Sequence, residues 1–181
     1  MSKSVKEKRV KAVPVWLGIL VFLAAFGAGV VSKTAVKPAW SKDYSVQWSD
    51  ALGTLKADHP YGEGEANKIA LYLPAAGGRD SYGLVVYLHA GGFTMGDKAD
   101  DRDMLAWLCS KGYVAAGINY TLRDEAHPEA SVLTQSTEIK AAVPQVIQAA
   151  EEAGYPIDKM TVAGGSAGHC LAMLYAYRDA A

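Results

Sequence analysis

Hydrophobic residues are laid out along this chain in three different ways, and each predicts a different element. From Ala12 to Ser32 no residue is charged, and Val13 to Val31 supplies 19 nearly continuous apolar positions. That length matches the roughly 17 to 25 residues a helix needs to cross a bilayer core, with Pro14 tolerable in a first turn. Short runs come next. Lys68-Ile69-Ala70-Leu71-Tyr72-Leu73 reads as a half-buried strand stopped by Pro74, and a Gly77-Gly78-Arg79-Asp80 turn leads to Leu84-Val85-Val86-Tyr87-Leu88-His89. This run and those at 114–120 and 160–164 are apolar on both faces, which suits strands covered by helices on each side. The third pattern is helical: Met104, Leu105 and Leu108 in one segment, and Ile139, Ala142, Val143, Val146, Ile147 and Ala150 as one stripe in another. Pro144 inside that stripe predicts a kink or the helix start. Strands alternating with helices predict an α/β domain built on a mostly parallel sheet flanked by helices, preceded by one transmembrane helix.

The expected organisation is a basic cytoplasmic tail at 1–12, a transmembrane anchor at 13–31, a linker at 32–42 and a partial domain at 43–181. Residues 33 to 60 carry Pro38, Trp40, Trp48 and scattered charges without a sustained period, and read as linker and lead-in. Lys3, Lys6, Lys8, Arg9 and Lys11 precede the apolar stretch, which places the N-terminus inside and exports the chain beyond Ser32. Small residues Gly27, Ala28 and Gly29 leave a cleavable signal peptide, and so a secreted protein, as an alternative. The apolar stretch is, however, longer than the usual ~7 to 15 residues of such a peptide. A buried core helix is the third reading, and the lack of any polar face would demand burial all round.

Composition narrows the function classes. With 181 residues, half apolar and a fifth charged, the chain has material for one globular domain. Of 18 basic residues five lie in the first twelve, leaving 13 against 18 acidic. A nucleic-acid partner is therefore not expected, because no basic face remains to neutralise phosphates. Asp97, Asp100, Asp101 and Asp103 cluster, but acidic residues entering a helix complement its dipole without a metal, and no Cys/His spacing resembles a zinc site. Neither metal nor cofactor is expected.

The chemistry concentrates at Gly164-Gly165-Ser166-Ala167-Gly168. A strand at 160–164 runs into it, and Leu171-Ala172-Met173-Leu174-Tyr175 comes after it as a helix. A serine on a tight strand-to-helix turn projects alone, and small flanking residues let the backbone take strained angles. Gly164 and Gly168 meet that need. The helix N-terminus directs amide N–H groups at the place where an oxyanion would form. A plain glycine-rich turn and a phosphate site compete for the motif, although no Gly-Lys-Ser/Thr comes after the glycines and the order is not Gly-x-Gly-x-x-Gly. A second cluster, His89-Ala90-Gly91-Gly92-Phe93, ends the most hydrophobic strand. Its glycines let main-chain N–H groups approach a ligand, so Gly91, Gly92 and Ala167 are the candidate oxyanion donors and Ser166 the candidate nucleophile.

These two motifs resemble the α/β-hydrolase serine esterases and lipases of the hormone-sensitive-lipase and bacterial carbohydrate-esterase type. Ala90 stands where their usual His-Gly-Gly-Gly loop has its first glycine. Gly96-Asp97-Lys98, Gly117-Ile118-Asn119-Tyr120-Thr121-Leu122-Arg123 and Ile157-Asp158-Lys159 extend the likeness over about Tyr61 to Tyr177. The resemblance implies a structural role for His89, in ordering the oxyanion loop. It also puts the helices carrying Cys109 and Cys170 on opposite faces of the sheet, so no disulfide is expected. It places the triad acid and histidine after the nucleophile, and neither can be named within the 15 residues beyond Ser166. The expectation is a chain truncated after the elbow, or one dependent on a partner, whose last strand becomes an open edge. His59 and His127 read as loop residues, and His169 as a surface histidine with an awkward path to the serine hydroxyl. The expected function is hydrolysis of a small-molecule carboxylic ester, with small acyl groups possible on carbohydrate, through a serine acyl-enzyme on the extracytoplasmic side of a membrane. A catalytically inactive surface interaction protein of the same fold and a serine peptidase remain alternatives.

Overall fold

The computed structural model describes residues 15–35, 39–75 and 77–179. The basic tail at 1–12 and the first two residues of the predicted anchor, Val13 and Pro14, lie outside the described residues. The chain divides into two compact units, one ending at Asp43 and one beginning at Tyr44.

In the first unit α1 spans Val15–Ala35, 21 residues. Apolar residues occupy every side of it, so it has no buried stripe: Val15, Trp16, Ile19, Leu20, Val21, Phe22, Leu23 and Phe26 are all exposed. Phe22 and Phe26, one turn apart, stack at 6.1 Å. Among the described residues, no helix is long and apolar enough to cross a membrane.

The second unit is a five-stranded sheet in the order β1-β2-β4-β3-β5 with helices against it. Its strands are β1 (Gly53–Pro60), β2 (Lys68–Pro74), β3 (Tyr82–Leu88), β4 (Val114–Ile118) and β5 (Ile157–Gly164), and its helices α2 (Arg102–Ser110), α3 (Val132–Glu152) and α4 (Ala167–Leu174). The parallel arrangement expected from the hydrophobic runs holds for β3, β4 and β5. By contrast, β2 runs antiparallel to both β4 and β1, so the sheet is mixed. Only a short connection separates β1 from β2, which permits antiparallel pairing and no crossover helix.

Two helical layers explain why β2 is buried on both faces and not on one. Ala70 and Tyr72 point with Ala115 into a cluster closed by Leu105 and Cys109 of α2. Ile69, Leu71 and Leu73 point the other way, to Ile139, Val143 and Val146 of α3 and Leu171 of α4. Cys109 and Cys170 are both free. Covering by helices on both sides, expected of all the long runs, fails at β3 and β5. There burial alternates along β3, and Met160 of β5 is 36% exposed at the sheet edge.

The lead-in is more structured than its sequence suggests. Trp48 meets Tyr72 edge-on at 5.2 Å, Tyr44 does the same to Trp107, and the Val46 N–H bonds the Asp103 carbonyl. β1 itself falls in the lead-in, inside the expected domain at 43–181 but in a stretch without a sustained period. His59, expected in a loop, sits in β1 opposite Ile69. Pro144 neither starts nor ends α3, which begins at Val132 behind a capping box formed by Ser131 and Thr134. The carbonyl that Pro144 leaves unbonded belongs to exposed Lys140.

Candidate active site

All three parallel strands end at the same side of the sheet, and the two glycine loops continue from the neighbours β3 and β5. The β5–α4 turn is shaped by steric closeness. A Cβ on Gly164 would lie 2.5 Å from the Gly168 carbonyl oxygen and 2.8 Å from the His169 nitrogen. One on Gly168 would strike the Leu88 carbonyl oxygen and come within 2.6 Å of that of His89. Both positions therefore exclude every residue but glycine, and the contacts press the turn against the end of β3. The Gly165 N–H donates to the Leu88 carbonyl at 3.2 Å, and the Gly168 N–H to the Gly165 carbonyl at 2.8 Å.

Between these glycines Ser166 carries the strain, at φ 48° and ψ −110°. A non-glycine residue held there needs its surroundings to over-determine it. Ser166 stands at the N-terminus of α4 yet its side chain makes no capping bond, and the residue is exposed. Ala167, the first helical residue, is buried behind it with an N–H that has no helical partner, as at any first turn.

The β3 loop takes its shape from positive φ angles, 132° at Gly91, 62° at Gly92 and 70° at Phe93, and at Gly91 a Cβ would also strike the Met95 carbonyl. The Gly91 carbonyl accepts from the N–H groups of Thr94 and Met95. Among the described residues the N–H groups of Gly91 and Gly92 have no acceptor in the protein, and a Cβ on Gly92 would meet open space. A Cβ on Gly165 would lie 3.4 Å from the Ala90 Cβ, so the two loops are in contact.

Beneath them His89 is 1% exposed. Its Nδ1 lies 2.7 Å from the Ala90 carbonyl oxygen, and because a carbonyl only accepts, Nδ1 carries the proton. Tyr120 stacks on the imidazole at 4.3 Å and 8°, and its hydroxyl donates to the His89 carbonyl at 2.9 Å. Burial, helped by Asp101, pushes the Tyr120 hydroxyl up to about 12, so it remains a donor across physiological pH. His89 thus holds the loop through Nδ1, while its buried Nε2 has no hydrogen-bond partner among the described residues. His169 lies exposed on α4, and His127 pairs with Asp124 at 3.0 Å in an exposed loop.

The acidic cluster after the loop is a structural knot. Asp97 caps the short helix Lys98–Asp101, accepting from the Ala99 N–H at 2.7 Å and from Asn119 Nδ2 at 2.6 Å. Burial works against its ionisation, but these bonds outweigh burial and hold the carboxyl below its usual value. Asn119 returns the contact by accepting the Lys98 N–H at 2.6 Å, while the Lys98 ammonium pairs with Asp58 at 2.8 Å. Among the described residues no group of three His, Cys, Asp or Glu side chains could hold a metal ion. Sequence reasoning gave Asn119 and Tyr120 no role, although both lie in a run that resembles the esterases, and it missed Gln135. The only signal at Gln135 is a polar residue one turn before Ile139 on an otherwise apolar stripe.

A mixed sheet with a parallel block, one of whose strands turns sharply into a helix at an exposed, strained serine beside a glycine loop, is the arrangement of the α/β-hydrolase fold. The chain belongs to the BD-FAE family of α/β-hydrolase esterases, whose family description matches residues 69–181. It is 31% identical to the kynurenine formamidase of Salmo salar over 116 residues, 64% of this chain and 36% of the formamidase. The C6-C4 SN3 inhibited esterase B from Lactobacillus rhamnosis shares the fold, with a TM-score of 0.62 at 22% identity over 87% of this chain and 48% of its own. Esterase 2 of Thermogutta terrifontis, in a form phosphonylated by cyclosarin, gives 0.57 at 25% identity over 68% of this chain and 47% of its own. The chain thus spans half or less of the length of these relatives.

Proposed function

We propose that this chain carries the nucleophile and oxyanion hole of a serine hydrolase that cleaves small acyl esters, including esters of carbohydrate hydroxyls. One observation carries the reading: Ser166, exposed at φ 48° with no cap to make, stands beside a loop whose Gly91 and Gly92 N–H groups have no acceptor among the described residues. In this reading the Ser166 hydroxyl oxygen attacks the ester carbonyl carbon, and its proton passes to a base. The oxyanion is held by the N–H groups of Gly91, Gly92 and Ala167. The alcohol departs with that proton, and water then frees the acid from the acyl-serine. Neither His89, whose Nδ1 is committed to the Ala90 carbonyl, nor His169, turned to solvent, is assigned as that base.

The 31% identity to a formamidase favours a second substrate of the same mechanism, a formyl amide. We propose further that the N-terminal segment anchors the enzyme to a membrane with the hydrolase outside. Support comes from the 19-residue apolar run in the sequence and from the exposed apolar side chains on every side of α1.

The phosphonylation of the Thermogutta terrifontis enzyme suggests the test. The full-length protein is treated with an aryl phosphonate and mapped by mass spectrometry, and p-nitrophenyl acetate turnover is compared with Ser166→Ala. Phosphonylation at Ser166 and turnover lost by at least about a thousandfold are expected, in line with loss of a covalent nucleophile. Label elsewhere, or turnover that survives the substitution, overturns the reading. Relative rates on an aryl acetate and an N-formyl anilide separate the two substrates.

A further inference from the structure

We infer that Gln135 is the positioning residue of the oxyanion loop, a glutamine on the buried face of α3 that holds the Phe93 carbonyl and through it the Gly91 and Gly92 N–H groups. The inference rests on the function proposed for that loop.

Position 135 lies one turn before Ile139 and shares its stripe, and its side chain is fully buried. A leucine there would pack without cost, whereas glutamine brings an amide into the core. Its Oε1 has no hydrogen-bond partner among the described residues, a penalty the fold tolerates only if the other end of the amide is needed. That other end is fully used. Nε2 donates to the Phe93 carbonyl at 2.9 Å and to the Thr121 carbonyl at 2.8 Å. Both partners are carbonyl oxygens, so the opposite amide orientation would set oxygen against oxygen, and the assignment follows from chemistry. Thr121 is itself fixed to α3, because Glu138 accepts from both its N–H, at 2.7 Å, and its hydroxyl, at 2.6 Å. Gln135 therefore ties the oxyanion loop to a point already locked to the same helix.

The tie acts where the loop is least willing to stay. Phe93 holds φ 70° with a side chain that disfavours it, directly after Gly92 at φ 62°. Its carbonyl receives one further bond, from the Arg123 N–H at 3.1 Å. Two donors on one carbonyl fix the peptide plane after Phe93, and the angles of Phe93 and Gly92 then set where the Gly91 and Gly92 N–H groups point. With Gln135 removed a single bond remains, and Phe93 is free to relax to negative φ and swing those donors away.

The test compares the full-length protein with Gln135→Met, which keeps length and apolar packing, and Gln135→Glu, which keeps shape. For Gln135→Met, kcat on p-nitrophenyl acetate is expected to fall about ten- to a hundredfold with KM within about twofold, the pattern of donors misplaced for the transition state. The phosphonylation rate should fall by the same factor, and amide exchange at Thr94, Met95 and Arg123, whose N–H groups are bonded to the loop carbonyls of Gly91 and Phe93, should accelerate while that of β3 and β4 does not. In Gln135→Glu a carboxylate would face two carbonyls but a protonated carboxyl can donate to one, so activity relative to wild type is expected to recover as pH falls. Unchanged kcat and exchange in Gln135→Met overturn the inference alone, as does a loss accounted for by the unfolded fraction in a urea titration. Absence of Ser166-dependent turnover in the wild type overturns the proposed function, and the inference with it.

Discussion

The two glycine loops of the candidate site differ most sharply at Gly168 and Gly92, where the same residue is needed for opposite reasons. In the elbow, Gly164 and Gly168 are required because other main chain lies where a Cβ would be, and the unusual dihedral falls on Ser166. In the β3 loop Gly91 is held by both constraints, a φ of 132° and a Cβ that would strike the Met95 carbonyl, whereas at Gly92 the φ of 62° alone demands glycine and open space surrounds the missing side chain. The first loop is a packing solution that places its strain on Ser166. The second combines one packing constraint, at Gly91, with one purely conformational position, at Gly92. The proposed nucleophile is thus made rigid by contact, and the proposed oxyanion hole by contact and backbone shape together.

That contrast is most easily broken by paired alanines. Gly168→Ala forces a methyl into the Leu88 carbonyl and within 2.6 Å of the His89 oxygen, and is expected to cost about 3 kcal/mol or more in urea unfolding. Gly92→Ala adds a methyl to empty space and costs only the left-handed angle, about 1 kcal/mol. Equal losses would show that the loops do not differ as described. A smaller effect reads the strain directly: Ser166→Gly should abolish esterase turnover yet raise stability by about 1 kcal/mol, since glycine accepts the φ of 48° freely. A fall in stability would place the strain elsewhere.

The smallest effect concerns pH. Asp101, in the short helix after the β3 loop, has its carboxyl raised from 3.8 to about 6, first by burial and then by Asp100. The folded state therefore keeps a proton that the unfolded chain releases. This favours folding fully below pH 4, and the advantage is lost as pH rises through about 6. Asp101→Asn should accordingly be more stable than wild type at pH 7, by at most about 1 kcal/mol given the group's partial exposure, and equal to it below pH 4. A difference that persists at pH 3.5 would trace the effect to packing.

Legibility in the sequence tracks burial. β3, β4 and the stripe of α3 are readable because each carries a sustained apolar signal, whereas β5, largely exposed and carrying Asp158 and Lys159, is readable from Met160 onward because it runs into the glycine–serine motif. β1 is not, since Gly53-Thr54-Leu55-Lys56-Ala57-Asp58-His59-Pro60 pairs only with β2 and stays largely exposed, which leaves no pattern to read. The mixed sheet escapes for a related reason: hydrophobicity reports that β2 is covered but not in which direction it runs. At the site, the glycine and serine positions are legible as motifs because local geometry restricts them. Gln135 and Tyr120 are not, because their importance arises from carbonyls distant in sequence, at Phe93, Thr121 and His89.

The bond from the Gly165 N–H to the Leu88 carbonyl has a consequence for how the enzyme comes into being. Its two ends are separated in the chain by α2, β4 and α3, so the elbow cannot be braced until all three have been made and β5 has docked beside β3. Contacts this far apart close late, after local helices and hairpins. Collapsed intermediates in which β5 has yet to dock would therefore carry Ser166 on a relaxed turn. If Ser166 is the nucleophile proposed here, reactivity toward phosphonates should emerge during refolding only with the final, slowest phase, which would make that serine its own reporter of a docked β5.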